Sequence, residues 1–337
     1  MKLLRPIIAV IIAFGIGAVI IWSSGSSPLE AYKGLFSGAF GDWIGIFDSL
    51  FSATPLILTG LATAISFKAG IFNIGVEGSM YLGAFAAAWF GFTFDNLPGL
   101  VIIIGAVAFS MAVGVLWGLL PAYLKVRWKV DEIVSTIMLN YVAILFTSYL
   151  VNFPFRVPNV ANSMSERIAP QAQLPRFTTG SQLNIAFFVA VAVVVIFYIF
   201  ERRSTLGYEI KMVGLNPLFS RSSGIRNSSV IYKAMMISGA IGALTGALLV
   251  LGTYYRFYDF FSPGYGFDGI AVAILSSNNF LGCLAVATLF GALRSGGSMM
   301  ELFTGIPLDL VNVMEGVIIL MVTANLLISR KRRAQRT

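Results

Sequence analysis

Histidine is missing altogether from these 337 residues, and cysteine occurs once, at Cys283. The first absence removes the commonest general base and the commonest transition-metal ligand, and the second removes any intrachain disulfide or thiolate cluster. Redox, zinc and Ser-His-Asp chemistry have no footing here. A phosphate-cradling loop is also lacking: no Gly-x-x-x-x-Gly-Lys-Ser/Thr run occurs, nor even a Gly-Lys dipeptide. If ATP drives this protein, another chain binds it. Charge is scarce too, at 11% of residues against about 25% in ordinary soluble domains.

What fills the space is apolar: 57% of the chain is hydrophobic and mean hydropathy is +0.85. That composition predicts an all-α polytopic membrane protein. With about 20 apolar residues per crossing, segments at about 6–22, 50–67, 76–94, 99–123, 132–152, 184–200, 231–252 and 308–328 read as spans. Residue 253 would then lie outside, so a single crossing between it and 308 would strand the basic tail Arg330, Lys331, Arg332, Arg333 and Arg336 outside as well. Two short crossings, 268–277 and 280–294 joined at Asn278-Asn279, resolve this. The prediction is about ten transmembrane segments with both termini cytoplasmic, which places most Lys and Arg inside, including Lys68, Lys125, Arg127 and Lys129. By the same rule the tail reads as cytoplasmic rather than as a nucleic-acid arm.

The chain divides into a first transmembrane helix with an outer segment (1–49), a membrane domain (50–330) and a basic tail (331–337). The first span also has the features of a signal peptide, with Lys2 and Arg5 before the apolar run and Ser23-Ser24-Gly25-Ser26-Ser27 after it. Loop 153–183 is assigned to the outside and loop 201–230 to the cytoplasm. In the second, Asn216-Pro217 has the form of an N-cap followed by proline at the first helical position, and Gly224 would end the short helix. Such a helix suits docking on another protein.

Phe72-Asn73-Ile74-Gly75-Val76-Glu77-Gly78 interrupts an otherwise apolar stretch with a carboxylate, an amide and two glycines. A carboxylate at the bilayer centre costs about 2.5–3.5 kcal/mol on insertion scales, and irregular backbone at that depth is tolerated only where it is buried in protein or lines a cavity. A counterpart, Gly264-Tyr265-Gly266-Phe267-Asp268-Gly269, follows span 231–252, which runs in the opposite direction to span 50–67. Paired interruptions in an inverted internal repeat of broken helices point to a transporter's central pathway. Glu77 could bind substrate, carry a proton or satisfy backbone N–H groups freed by the break, and its place beside a helix start favours the last. Asn312 and Glu315 are read as sharing a helical face.

At these residues the sequence resembles the permease subunits of bacterial ABC importers for nucleosides and simple sugars, within the wider class of branched-chain amino-acid and ribose permeases. The strings are FNIGVEG at 72–78, GLNP at 214–217 followed by Gly224-Ile225, and GFDGIAVAIL at 266–275. The resemblance implies a multi-pass protein of the bacterial cytoplasmic (inner) membrane. It would pair with a second, non-identical permease and receive substrate from an extracytoplasmic binding lipoprotein. A separate ATP-binding-cassette ATPase would dock at Gly214, Asn216, Pro217, Leu218, Phe219 and Gly224, and ATP-Mg would be bound there, leaving this chain with no cofactor, metal or catalytic residue of its own. Leu218 to Ser223 stand where the family commonly has alanines. Phe72, Asn73, Glu77, Asn140, Tyr141, Ser238, Asp268, Asn278 and Asn279 are the candidate pathway residues, with Trp89 a further aromatic. An ion-coupled transporter or channel, with Glu77 and Asp268 carrying protons or sodium, and a permease for branched-chain amino acids remain the alternatives.

Overall fold

The computed structural model describes residues 4–23, 25–317 and 320. The far end of the predicted last crossing and the basic tail lie outside the described residues. Twelve helices are named here: α1 (Leu4–Ser23), α2 (Pro28–Phe40), α3 (Trp43–Lys68), α4 (Val76–Thr93), α5 (Gly99–Trp128), α6 (Glu132–Asn152), α7 (Ala186–Arg203), α8 (Thr205–Leu215), α9 (Pro217–Ser222), α10 (Asn227–Leu249), α11 (Tyr265–Leu275) and α12 (Phe280–Thr304). Residues 309–317 are helical again. Among the described residues extended pairing is confined to isolated bridges, Met164 with Tyr258 and Arg176 with Asn184.

Several helices start where a short polar side chain can take up free amides. The Asp42 carboxylate accepts from the Gly45 N–H (2.6 Å), Asp131 from Ile133 and Val134, and Ser204 from Gly207. Among the described residues five helices are long and apolar enough to cross a membrane: α3, α5, α6, α12, and α10 with the π turn Val250–Tyr254 that prolongs it.

The long helices α3 and α10 form the centre. Every residue from Ala53 to Ser66 in α3 and from Ser238 to Leu249 in α10 is buried. Their neighbours are exchanged: α3 packs against α11 and α12, while α10 packs against α4 and α5. Small residues allow the close crossings. A Cβ on Gly239 would meet the Gly114 carbonyl oxygen at 2.2 Å, and one on Gly246 would meet that of Met80 at 2.0 Å. The outer helices α5 and α6 keep apolar side chains exposed along their length, among them Leu116, Val142, Leu145 and Phe146; in a bilayer these face lipid or another subunit.

The structure revises several boundaries. The outer segment before residue 50 is helical, comprising α2 and the first turns of α3, which begins at Trp43. The pair of short crossings becomes one short helix, α11, and one of 25 residues, α12, extending ten residues past the expected end at 294. Arg294, the residue at which the second short crossing was expected to end, lies within α12 and is paired with Asp268, so its charge is neutralised inside the fold. Loop 153–183 is tied down: Ser165, Ile168, Ala172 and Leu174 are buried, and the Leu174 N–H donates to the Leu251 carbonyl (2.8 Å). Asn312 is exposed whereas Glu315 is buried, so the two do not share one environment.

Candidate functional site: two joined helix breaks

Between α3 and α4 the chain leaves helical geometry from residue 69 to 75, and backbone groups this frees are taken up by neighbouring side chains. The Ile74 N–H donates to Thr136 Oγ1 (3.2 Å), and the Ile74 carbonyl accepts from Asn140 Nδ2 (2.8 Å). Asn140 Oδ1 accepts from the Gly78 N–H (2.8 Å), and Asn73 Oδ1 accepts from Gly75 (2.8 Å). The other side of Asn73, Nδ2, donates to Ser238 Oγ on α10 (3.0 Å). Asn73, Asn140 and Ser238 are all buried. The cavity beside them, lined by Asn73, Gly75, Ser79, Trp117 and Thr136, holds about 10 Å³, room for one water.

Glu77 is 2% exposed, yet its carboxylate does not serve its own helix. Oε2 accepts from the backbone N–H of Gly266 (2.5 Å), in the first turn of α11. Gly266 permits this approach: a Cβ there would lie 2.5–2.6 Å from the Glu77 N, Cα and Oε2 atoms. The two interruptions found in the sequence thus meet, with the first turns of α4 and α11 in contact. Two such ends bring partial positive charge together, and both first turns carry an acid, Glu77 and Asp268. Asp268 Oδ2 accepts from Arg294 Nη2 of α12 (2.5 Å), and the Arg294 guanidinium lies 5.3 Å from the Tyr265 ring centroid. Glu315 lies buried, and its Oε1 has no hydrogen-bond partner among the described residues.

The remaining candidates are dispersed. Asn279 caps α12, accepting from the Gly282 N–H (3.2 Å), and Asn278 adopts φ +60° with its Oδ1 buried and unpartnered among the described residues. Phe72 is partly exposed and stacks on Phe67 with centroids 4.4 Å apart. Trp89 packs among Phe94 and Phe109, and Tyr141 points outward from α6. Sequence reasoning passed over Thr136 and Arg294. Thr136 lies one helical turn before Asn140, a spacing that signals a shared face, while nothing in the sequence identified the α12 partner of Asp268.

At the C-terminal end of α3, where the break begins, sits the helix pair α8 and α9. Asn216 Oδ1 accepts from the N–H groups of Leu218 (3.1 Å) and Phe219 (3.0 Å), Pro217 is the first helical residue, and Gly224 turns the chain at φ +82°. The resulting one-and-a-half turns present Leu218, 81% exposed, and Phe219 to solvent. Gly214, near the end of α8, abuts the end of α3: a Cβ would lie 1.9 Å from the Lys68 carbonyl oxygen and 3.0 Å from the Gly70 nitrogen. The same Lys68 pairs with Glu201 at the end of α7. Contact with α9 is therefore one short helix away from the break.

Residues 45–323, which contain both breaks and the α8–α9 pair, match the family described as branched-chain amino acid transport system / permease component. The chain belongs to this permease family. Among its relatives, the guanosine ABC transporter permease protein NupP of Bacillus subtilis is 36% identical, covering 96% of this chain and 93% of that protein. The nucleoside ABC transporter permease protein NupB of Lactococcus lactis is 33% identical over 97% of this chain and 92% of its own length. The glucose ABC transporter permease protein TsgB13 of Haloferax volcanii is 31% identical over 97% and 88%. Membership thus covers nearly the whole permease chain, joined breaks and exposed α9 included.

Proposed function

We propose that this chain is the transmembrane permease subunit of an ATP-binding-cassette importer for nucleosides, working in the bacterial inner membrane. The observation that carries this reading is the capped helix α9, which holds Leu218 and Phe219 out to solvent and is linked through Gly214 to the end of α3. An ion-coupled transporter has no use for such a docking element. Since the sequence has no phosphate loop, ATP-Mg belongs to a partner ATPase that grips α9.

The pathway runs along a face of this chain, closed by a second permease. A nucleoside needs a cavity of some 300 Å³ or more, whereas the polar cavity at the break holds about 10 Å³. Asn73, Asn140 and Ser238 are engaged in holding that break. They contribute to transport by fixing the pathway wall, and they meet substrate only in a conformation that opens it. Tyr141, turned outward on α6, lies on the face available to the second permease. ATP-driven closure of the ATPase would move α9, and the α3 end with it, and so alternate the access of this shared route. An extracytoplasmic lipoprotein supplies the substrate.

Nucleosides are favoured over other solutes by the relatives NupP and NupB, and a simple sugar is the second reading because of TsgB13. The test is ATP-dependent uptake by proteoliposomes holding this chain with its ATPase, second permease and binding lipoprotein. Labelled guanosine and uridine should accumulate, and a tenfold excess of unlabelled adenosine should compete whereas glucose, ribose and leucine should not. Uptake without any ATPase would overturn the importer reading, and competition by glucose or leucine alone would overturn the substrate class.

A further inference from the structure

Beside α10 an apolar groove of about 320 Å³ opens between α5, α7 and α10. Its walls are Met111 and Val115 from α5, Val193 and Phe197 from α7, and the α10 stripe Met236, Ile237, Ala240, Ile241 and Leu244. The only charged residue in its lining is Lys233, and Leu206 of α8 closes the same end.

The dimensions match one leaflet. From Lys233 to Leu244 the α10 stripe rises about 16 Å at 1.5 Å per residue, close to half of a hydrocarbon core about 30 Å thick. From Lys233 to Tyr254, the end of the prolonged helix, the rise is about 31 Å, which puts Lys233 at one boundary of the core and Leu244 near its middle. Lys233 is exposed and takes part in none of the ion pairs among the described residues. It lies in the basic stretch 201–233 with Arg202, Arg203, Lys211, Arg221 and Arg226, on the side that the positive-inside rule assigns to the cytoplasm. An apolar groove of leaflet depth, with an ammonium at its inner end that joins no ion pair among the described residues, has the chemistry of an acyl chain below a phosphate. Basic pockets between spans on the cytoplasmic side hold anionic headgroups in this manner.

We infer that this groove is a binding site for an anionic phospholipid of the inner leaflet, one acyl chain lying along α10 and the headgroup phosphate on Lys233. The site is independent of the substrate the permease carries.

The test is native mass spectrometry of the full chain, purified with its partner subunits and equilibrated with equal amounts of palmitoyl-oleoyl phosphatidylglycerol and phosphatidylcholine. The wild type should retain phosphatidylglycerol about tenfold over phosphatidylcholine. Lys233→Gln should lose that preference, and Val193→Trp, which fills the groove from α7, should lose the bound lipid altogether. Lys233 is exposed, so its exchange leaves the fold alone and keeps the test valid should Val193→Trp assemble poorly. Equal retention of the two lipids by the wild type, an unchanged preference in Lys233→Gln, or a polypeptide cross-linked into the groove from a photoreactive group at Ile237 would each overturn the assignment.

Discussion

Glu77 shows how a carboxylate is kept in a membrane interior. Burial would make it costly, but it accepts a hydrogen bond from the otherwise free amide of a second helix start, which offsets part of that cost. Glu77→Gln retains an acceptor for the Gly266 N–H and should cost about 1 kcal/mol, whereas Glu77→Ala should cost about 2–3 kcal/mol by leaving that amide unpaired. Thermal unfolding in detergent, followed by size-exclusion chromatography, separates the two. If Glu77→Gln instead left stability unchanged and abolished transport, the carboxylate would be acting on substrate. Asn140 is bound on both of its polar atoms, to the Gly78 amide and the Ile74 carbonyl. The same measurement should find Asn140→Ala destabilised by about 2–4 kcal/mol, since two buried groups lose their partners at about 1–2 kcal/mol each.

Among the elements, those with a local signal were legible in the sequence and those that rest on distant contacts were not. Asn216-Pro217 marked the start of α9 because capping is a matter of adjacent residues, and the uninterrupted apolar runs marked α4, α6 and α7. The helix α2 was missed although Ser27-Pro28 gives a similar start signal, because Glu30 and Lys33 lower its hydropathy. The end of α12 was misplaced because Arg294 reads as a boundary until its partner Asp268, 26 residues earlier, is brought beside it by the fold. For the candidate site, the two glycine-rich interruptions were visible, whereas the bond joining them spans 189 residues and leaves no periodicity to detect. The contact of α8 with α3 is likewise a product of folding. Gly214→Ala should push α8 off the Lys68 carbonyl at an overpacking cost of about 1–3 kcal/mol. In the reconstituted importer it should lower transport several-fold while ATP hydrolysis continues, and transport at the wild-type rate would remove this contact from the coupling route.

At the scale of the whole molecule, the exposed face of α6 is a side on which the second permease proposed above can sit. Its inner face is committed to the break through Thr136 and Asn140, and its outer face carries Tyr141, Leu145 and Tyr149. The single native thiol, Cys283, is buried, so an introduced cysteine reports alone. Tyr141→Cys in the assembled complex should react with a water-soluble maleimide and, when a cysteine is also introduced on the facing surface of the second permease, should form a disulfide with it under mild oxidation. Reaction only with lipid-soluble reagents would place this face against the bilayer.

The junction of Glu77 with Gly266 has a mechanical corollary. A protein with two separate gates needs some means of keeping them from opening together. Here both interruptions share a single pin, the Glu77–Gly266 hydrogen bond, which ties the two long central helices α3 and α10 together like the arms of one pair of shears. In the import cycle proposed above, a load applied at α9 would have one coordinate along which to act, the opening at one membrane face and the closing at the other being two readings of the same angle.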